Sequence, residues 1–265
     1  MYVPLTSLHG HLMSRSALFR NLAFGCILCL GTVSCASNPP LGSKTDAQHD
    51  PLEPMNRAVF DVNDFMDRLL FKPVALLYRF VTPTYVRDRL SNVFDNMDEP
   101  VIMANSLLQG RVKDAGKSLA RLAVNSTIGV GGAFDVAGEG IGWGQKPADF
   151  GQTLNSWGVG QGPYMILPFF GPSTLRDATG MGVDMYMSPW GYVAMEGPHS
   201  TSTAFKYSSI AVGALVKREA HIDDLDKLKE GSIDFYAQMR SVYLQYRNKQ
   251  LGISTPMPTS ANYDE

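Results

Sequence analysis

The chain has 265 residues, 45% apolar and 18% charged, with 23 Lys plus Arg against 25 Asp plus Glu and 25 glycines beside 16 prolines. That balance excludes a coiled coil, a disordered chain and a basic nucleic-acid module, which needs a surplus of cations to neutralise phosphates. No apolar run of 18 or more residues follows position 40, so the chain beyond it contains no obvious spanning helix.

At the N-terminus, Arg15 and Arg20 precede about a dozen apolar residues, Leu22 to Val33, the length of a signal-peptide core. The stretch ends in Thr32-Val33-Ser34-Cys35, and small residues before a Cys resemble the lipobox of bacterial lipoproteins, with Thr32 where Leu is usual. Cys26 and Cys29 leave with the leader, so Cys35 has no disulfide partner; acylation removes that liability. Acyl chains bury CH₂ groups at about 0.8 kcal/mol each, enough in combination to hold a protein on a bilayer. Ala36 after the Cys favours sorting to the outer membrane. The expected organisation is a leader over 1–34 with Met13 as the start, a flexible tether over 35–50, one helical domain over 51–250 and a disordered tail over 251–265. Cleavage before Cys35 leaves 231 residues carrying 21 basic and 25 acidic side chains.

The domain reads as mostly α-helical. Apolar residues at 59, 62, 65, 66, 69 and 70 predict a helix from Asn56 to Leu70. Pro73 opens a second segment, Val74 to Val81, which Thr82-Pro83 stops, and Pro83 to Phe94 forms another. Asp98-Glu99-Pro100 begins an apolar stretch, Val101 to Leu108, capped by Gly110. Arg111 to Ile128 is the clearest helix: Val112, Ala115, Leu119, Leu122 and Ser126 share one side, while Lys113, Lys117 and Arg121 stack on another. Those three cations fit a solvated face first, and on a membrane-bound protein the same stripe could also meet anionic headgroups. Gly129 to Gly171 holds 12 glycines in 43 residues and reads as a tightly turned apolar loop system. Helices follow over Thr174–Met187, Thr203–Lys217, Ile222–Lys229 and Ser232–Gln250. No alternating runs joined by hairpin signals support strands.

Residues for chemistry are scarce. His199 and His221 are the histidines beyond the tether, without HxxH or HExxH spacing, so no metal site is expected. The G-x-S-x-G elbow is absent, and Gly158-Val159-Gly160-Gln161-Gly162-Pro163 lacks the spacing of a dinucleotide fingerprint. The expectation is a non-enzyme without cofactor.

Long motifs resemble the MlaA (VacJ) family of outer-membrane lipoproteins. They begin with Asp50-Pro51-Leu52-Glu53-Pro54-Met55-Asn56-Arg57 and continue through Leu90 to Pro100, Asn105, Leu107 to Gly110, Arg121, Asn125 to Gly129, Gly132 and Asp135 to Ala137. They resume at Asp149 to Leu154, Trp157 to Tyr164, Leu167 to Ser173 and Leu175 to Asp177. Pro54-Met55 departs from the Gly-Phe common there.

The resemblance implies a ring-like, doughnut arrangement of amphipathic helices with a central amphipathic channel, lipid-anchored on the periplasmic side of the outer membrane beside a trimeric porin. Phospholipids misplaced in the outer leaflet would pass through it to a soluble periplasmic carrier, which delivers them to an ATP-driven complex at the inner membrane; the net effect is to maintain lipid asymmetry. By the same resemblance Gly158 and Gly160 match a loop beside the channel, and Asn63-Asp64 match a region that affects gating. Gly158 and Gly160 read as a hinge at the channel mouth or as tight packing of a core loop. The alternative function is a scaffolding envelope lipoprotein.

Overall fold

The computed structural model describes residues 50–189 and 200–253, with side chains from 200 to 207 and at 209 left aside. Cys35, the leader, the tether to position 49 and the tail from 254 lie outside the described residues. Among the described residues the chain forms nine α-helices and one two-stranded sheet.

Helix α1 (Glu53–Met66) continues through a π-helical turn, Asp67–Phe71, into α2 (Lys72–Val81) without a break. A break was expected at Pro73. Pro73 instead lies in the first turn of α2, and the wider turn before it accommodates a residue that cannot donate an N–H. Helix α3 (Thr84–Leu108) likewise runs through Pro100, where a separate segment was expected to start. An internal Pro costs about 3 kcal/mol in a free helix. Here Asn96 and Glu99 before it and Val101, Ile102, Asn105 and Ser106 after it are all buried, with α4 (Val112–Thr127) as the main neighbour. Tertiary packing overrides the local stop. Gly110, at φ +72°, ends α3 as expected: its N–H donates to Leu107 O and that of Arg111 to Ser106 O.

Helix α4 has the expected span and an unexpected orientation. Ala115, Ser118, Arg121 and Asn125 face inward, whereas Val112, Leu119 and Ile128 are exposed. The polar stripe is inside. Arg121 is 3% exposed, with Nε donating to Glu99 Oε1 at 2.6 Å and Nη1 lying 3.2 Å from Asp135. It is therefore withdrawn from the proposed headgroup stripe.

The glycine-rich stretch is more regular than expected. It holds a π-helical turn (Val136–Gly140), helix α5 (Phe150–Ser156) and an antiparallel hairpin of β1 (Tyr164–Leu167) with β2 (Gly171–Thr174), in register Tyr164↔Thr174. The hairpin corrects the expectation of no strands. Helices α6 (Leu175–Met187), α7 (Ser200–Ala220), α8 (Ile222–Glu230) and α9 (Phe235–Gln250) complete the described chain.

Two asparagines dock α1 on the hairpin. Asn56, fully buried, donates to Tyr164 O and accepts from Ile166 N–H, so its amide behaves as a fragment of strand beside β1. Asn63 repeats this with Leu167 O and Phe169 N–H. The spacing is geometric: seven helical residues rise about 10.5 Å, which matches about 10 Å for three residues of strand.

What lies inside is mostly polar. Among the described residues 11 hydrophobic residues are buried, against 16 polar or charged ones, and 34 large hydrophobics are exposed. Among the described residues a small hydrophobic cluster forms from Tyr164, Ile166 and Tyr236, with Val59, Phe60, Tyr243 and Leu244 packed against it. Around Arg247 the interior is ionic. Its guanidinium donates to Asp149, the N-cap of α5, and to Asp177 in the first turn of α6, at 2.6–2.9 Å. Burial opposes ionisation of both carboxyls, but the bonds and charge of Arg247 outweigh it and hold them below the usual range. Gly151 and Gly180 let α5 and α6 meet there. A Cβ on Gly151 would sit 2.5 Å from the Arg247 guanidinium, and one on Gly180 2.3 Å from Gly151 N.

Candidate functional site: an amphipathic cavity

A cavity of about 1080 Å³ opens between the α1–α2 path, the turn of the hairpin, α7, α8 and α9. Phe60, Leu70, Phe71, Phe169, Phe170, Ile210 and Leu215 supply most of its apolar wall. Charged side chains enter the same wall as pairs. Lys72 Nζ meets Asp226 at 2.7 Å, Arg218 holds Asp67 with two bonds of 2.6 and 2.8 Å, and Lys229 pairs with Asp64. Together they tie one helical path to α7 and α8.

The α1–α2 path explains this mixture. Asp64, Asp67, Lys72 and Arg79 each find a partner on α7 or α8, and Ala75 between them is fully buried. Val62, Phe65, Leu69, Leu77 and Phe80 point away and are exposed, Phe80 by 88%. A helix with charges inward and aromatics outward inverts the amphipathicity of a water-soluble fold.

The hairpin turn is held under strain at the cavity wall. Phe169 has φ +66°, unfavourable for a residue with a Cβ. Asn63 clamps it through the Phe169 N–H at 3.0 Å and the Leu167 carbonyl at 2.9 Å, and Phe71 meets the Phe169 ring edge-on at 6.4 Å.

Of the residues singled out from sequence, Asn63 and Asp64 line this cavity. Gly158 and Gly160 do not. Gly158, at φ +87°, terminates α5: its N–H donates to Asn155 O and the Val159 N–H to Leu154 O, the two bonds of a Schellman stop. A Cβ at either glycine would meet nothing within 4 Å, so neither is a close-packed turn. Close packing falls at Gly151 and Gly180 instead. Lys113 is exposed, Lys117 half-buried, and neither forms an ion pair among the described residues.

Lys72, Arg218, Asp226 and Lys229 were missed. For Lys72 the signal was present in the charges at 64, 67, 68, 72 and 79 within a largely apolar stretch; its neighbours Arg218, Asp226 and Lys229 come from distant helices that only the fold brings together. Among the described residues no group of three or more His, Cys, Asp or Glu could hold a metal ion, and no helix is long and apolar enough to cross a membrane.

A family model described as "MlaA lipoprotein" matches residues 48–250. The chain belongs to this family. Among curated relatives it is similar to the "Intermembrane phospholipid transport system lipoprotein MlaA" of Escherichia coli (strain K12), 35% identical over 224 residues that cover 82% of this chain and 84% of that protein. The protein of the same description from Haemophilus influenzae is 31% identical, covering 85% and 87%. An uncharacterized protein of Rickettsia bellii is 32% identical, covering 81% and 83%. A solved structure described as "Structural basis for maintenance of bacterial outer membrane lipid asymmetry" superimposes with a TM-score of 0.65 at 32% identity, over 77% of this chain and all of that one.

Proposed function

We propose that the cavity is part of a passage along which phospholipids misplaced in the outer leaflet move toward the periplasm. The protein is an outer-membrane lipoprotein of the system that maintains lipid asymmetry, and it is a transport component, not an enzyme. The observation that carries the reading is the inverted α1–α2 path: one side offers Phe65, Leu69, Leu77 and Phe80 outward, the other lines a cavity with paired charges. An exposed Leu or Phe gains about 1.5–3 kcal/mol when taken from water, so this face favours an acyl environment. At about 1080 Å³ the cavity is at or beyond the roughly 300–1,000 Å³ of ordinary small-ligand pockets, a size suited to a lipid. Its aromatic wall suits acyl chains, and its ion pairs present both charge signs to a zwitterionic or anionic headgroup.

In this reading Cys35 carries the acyl anchor, and Lys113 and Lys117 face anionic headgroups. Asn63 and Asp64 control the wall by holding the hairpin turn and Lys229. Gly158 and Gly160 sit in a loop beside the passage and outside the cavity lining. A trimeric porin beside the ring and a soluble periplasmic carrier are the partners.

The test is retention of lipid by the purified, detergent-extracted protein. Phospholipid should co-purify, and Leu70→Glu with Phe170→Glu inside the cavity should release it while the protein stays folded. A scaffolding lipoprotein would hold none, and equal retention by the variant would place the lipid elsewhere.

A further inference from the structure

A second pocket, of about 240 Å³, lies between the glycine loop, the hairpin and α9, and shares no lining residue with the large cavity. Gln161, Gly162, Tyr164, Thr174 and Arg240 are among its lining residues. Arg240 differs from the arginines that bridge helices. The arginines that bridge the helices, such as Arg79, Arg121, Arg218 and Arg247, each hold a carboxylate. Arg240 makes no ion pair and no hydrogen bond among the described residues, and its Nε is buried without a partner. It lies 5.6 Å from the Tyr164 ring centroid.

Tyr164 is 5% exposed, and its hydroxyl too is buried without a partner. Burial pushes that phenol up, so it stays protonated and remains a donor. Gln161 and Gly162, on the exposed rim of the same pocket, have backbone N–H groups that donate to no described acceptor and are open to a ligand or to water. Asp50 is the carboxylate acting on Tyr164, yet its oxygens already accept from the Leu52 N–H, Asn56 and the Tyr236 hydroxyl. Buried donors without acceptors cost free energy in a native protein unless something fills the role.

We propose that this pocket is an anion site that binds a phosphate group through Arg240 and the Tyr164 hydroxyl. A guanidinium bonded to no carboxylate and a neutral phenol beside it present donors, with the nearby Asp50 carboxylate already bonded elsewhere, and a phosphate oxygen satisfies such donors where a cation does not. The volume admits a phosphate ester the size of glycerol phosphate and is too small for acyl chains. The shared chemistry is a phosphate monoester or diester, either free or as the headgroup of a lipid. The inference stands apart from the large cavity and from whether that cavity passes lipid.

The experiment uses the full-length acylated protein in detergent. Broadening of the ³¹P signal is followed for inorganic phosphate and for glycerol 3-phosphate. Wild type should broaden both, Arg240→Gln should reduce the effect at least fivefold, and Tyr164→Phe should reduce it two- to threefold. Arg240→Lys should retain part of it, and Arg89→Gln, which removes an arginine bonded to Ala133 O, should leave it unchanged. Arg240→Gln should melt at the wild-type temperature, since no carboxylate loses a cation; a drop of several degrees would assign Arg240 a structural role and overturn the site. Vesicles of phosphatidylethanolamine and phosphatidylglycerol separate the sources. Arg240-dependent retention of their phospholipid identifies a headgroup, and binding of glycerol 3-phosphate without such retention identifies a free ester. No broadening by wild type, or equal broadening by Arg240→Gln, overturns the proposal.

Discussion

The contact between α5, α6 and α9 and the outer face of α1–α2 are built from opposite materials. At the first, Arg247, Asp149 and Asp177 lie together inside, fixed by bonds under 3 Å. At the second, Val62, Phe65, Leu69, Leu77 and Phe80 are exposed. In water that distribution would be unfavourable twice over, since charges lose hydration and apolar surface keeps it. In a leaflet the second cost disappears and the first is offset by paired, well-directed bonds. In the proposed placement, directional polar contacts hold the helices to one another, and the hydrophobic effect holds the outer face in the leaflet.

The largest expected effect comes from the ionic interior. Arg247→Met leaves Asp149 and Asp177 without their shared cation and should cost about 3–5 kcal/mol in denaturant unfolding. Gly151→Ala should be comparably damaging, because its methyl would sit 2.5 Å from the Arg247 guanidinium and 2.6 Å from Asp177 Oδ1. Arg121→Met, which strands buried Glu99, belongs to the same class. Wild-type stability in all three would show that the polar interior is incidental.

A smaller effect follows from pH. Asp184 accepts from the Phe150 N–H and from Asn105, but burial pushes its carboxyl up to about 6. Between the ordinary carboxylate value near ~4 and that figure, the folded chain keeps a proton the unfolded chain has released. Stability therefore falls as pH rises through this window, by roughly 1–3 kcal/mol, and stays lower above it. Asp149 and Asp177 act oppositely: their stabilisation is present above the ordinary value and is lost as pH falls through their lowered values. Asp184→Asn should abolish the decline between pH 4 and 6 and leave acid unfolding in place. An unchanged decline would assign it to another group.

Much of this was legible in the sequence, but its direction was not. The span of α4 followed from periodicity, yet the inward side carries Ser118, Arg121 and Asn125 while Leu119 faces out, because the periodicity rule presumes water as the surroundings. Pro73 and Pro100 looked like boundaries because local propensity ignores a π turn and a buried neighbour helix. The hairpin escaped notice because Pro168-Phe169-Phe170 is no ordinary turn sequence; Asn63, over a hundred residues away, holds Phe169 in place. The family motifs were visible as strings of Asn, Asp, Arg and Gly. Their structural meaning, as a helix-to-strand bond through Asn56 and helix-to-helix bonds through Asn105, Asp149 and Asp177, required the fold.

The two glycines of the loop separate more finely. Gly158→Ala places a Cβ at φ +87° and should cost about 1–2 kcal/mol. Gly160 has open space and no positive φ, so Gly160→Ala should stay within about 0.5 kcal/mol. Thermal melts of the single variants in detergent check this, and equal losses would contradict the helix-stop role.

The smallest expected effect on stability lies on the outer face, where Phe80→Gln should change unfolding by less than about 0.5 kcal/mol. That same position gives the most direct test of the inverted design. With Cys35 expected to be acylated, one introduced thiol can carry a fluorophore, placed either at Phe80 on α2 or at exposed Gln245 on α9. In vesicles containing a quencher on the acyl chain, the label at Phe80 should be strongly quenched and the label at Gln245 should remain bright. Equal brightness at both positions, matching the labels in water, would contradict the placement of this face in the membrane.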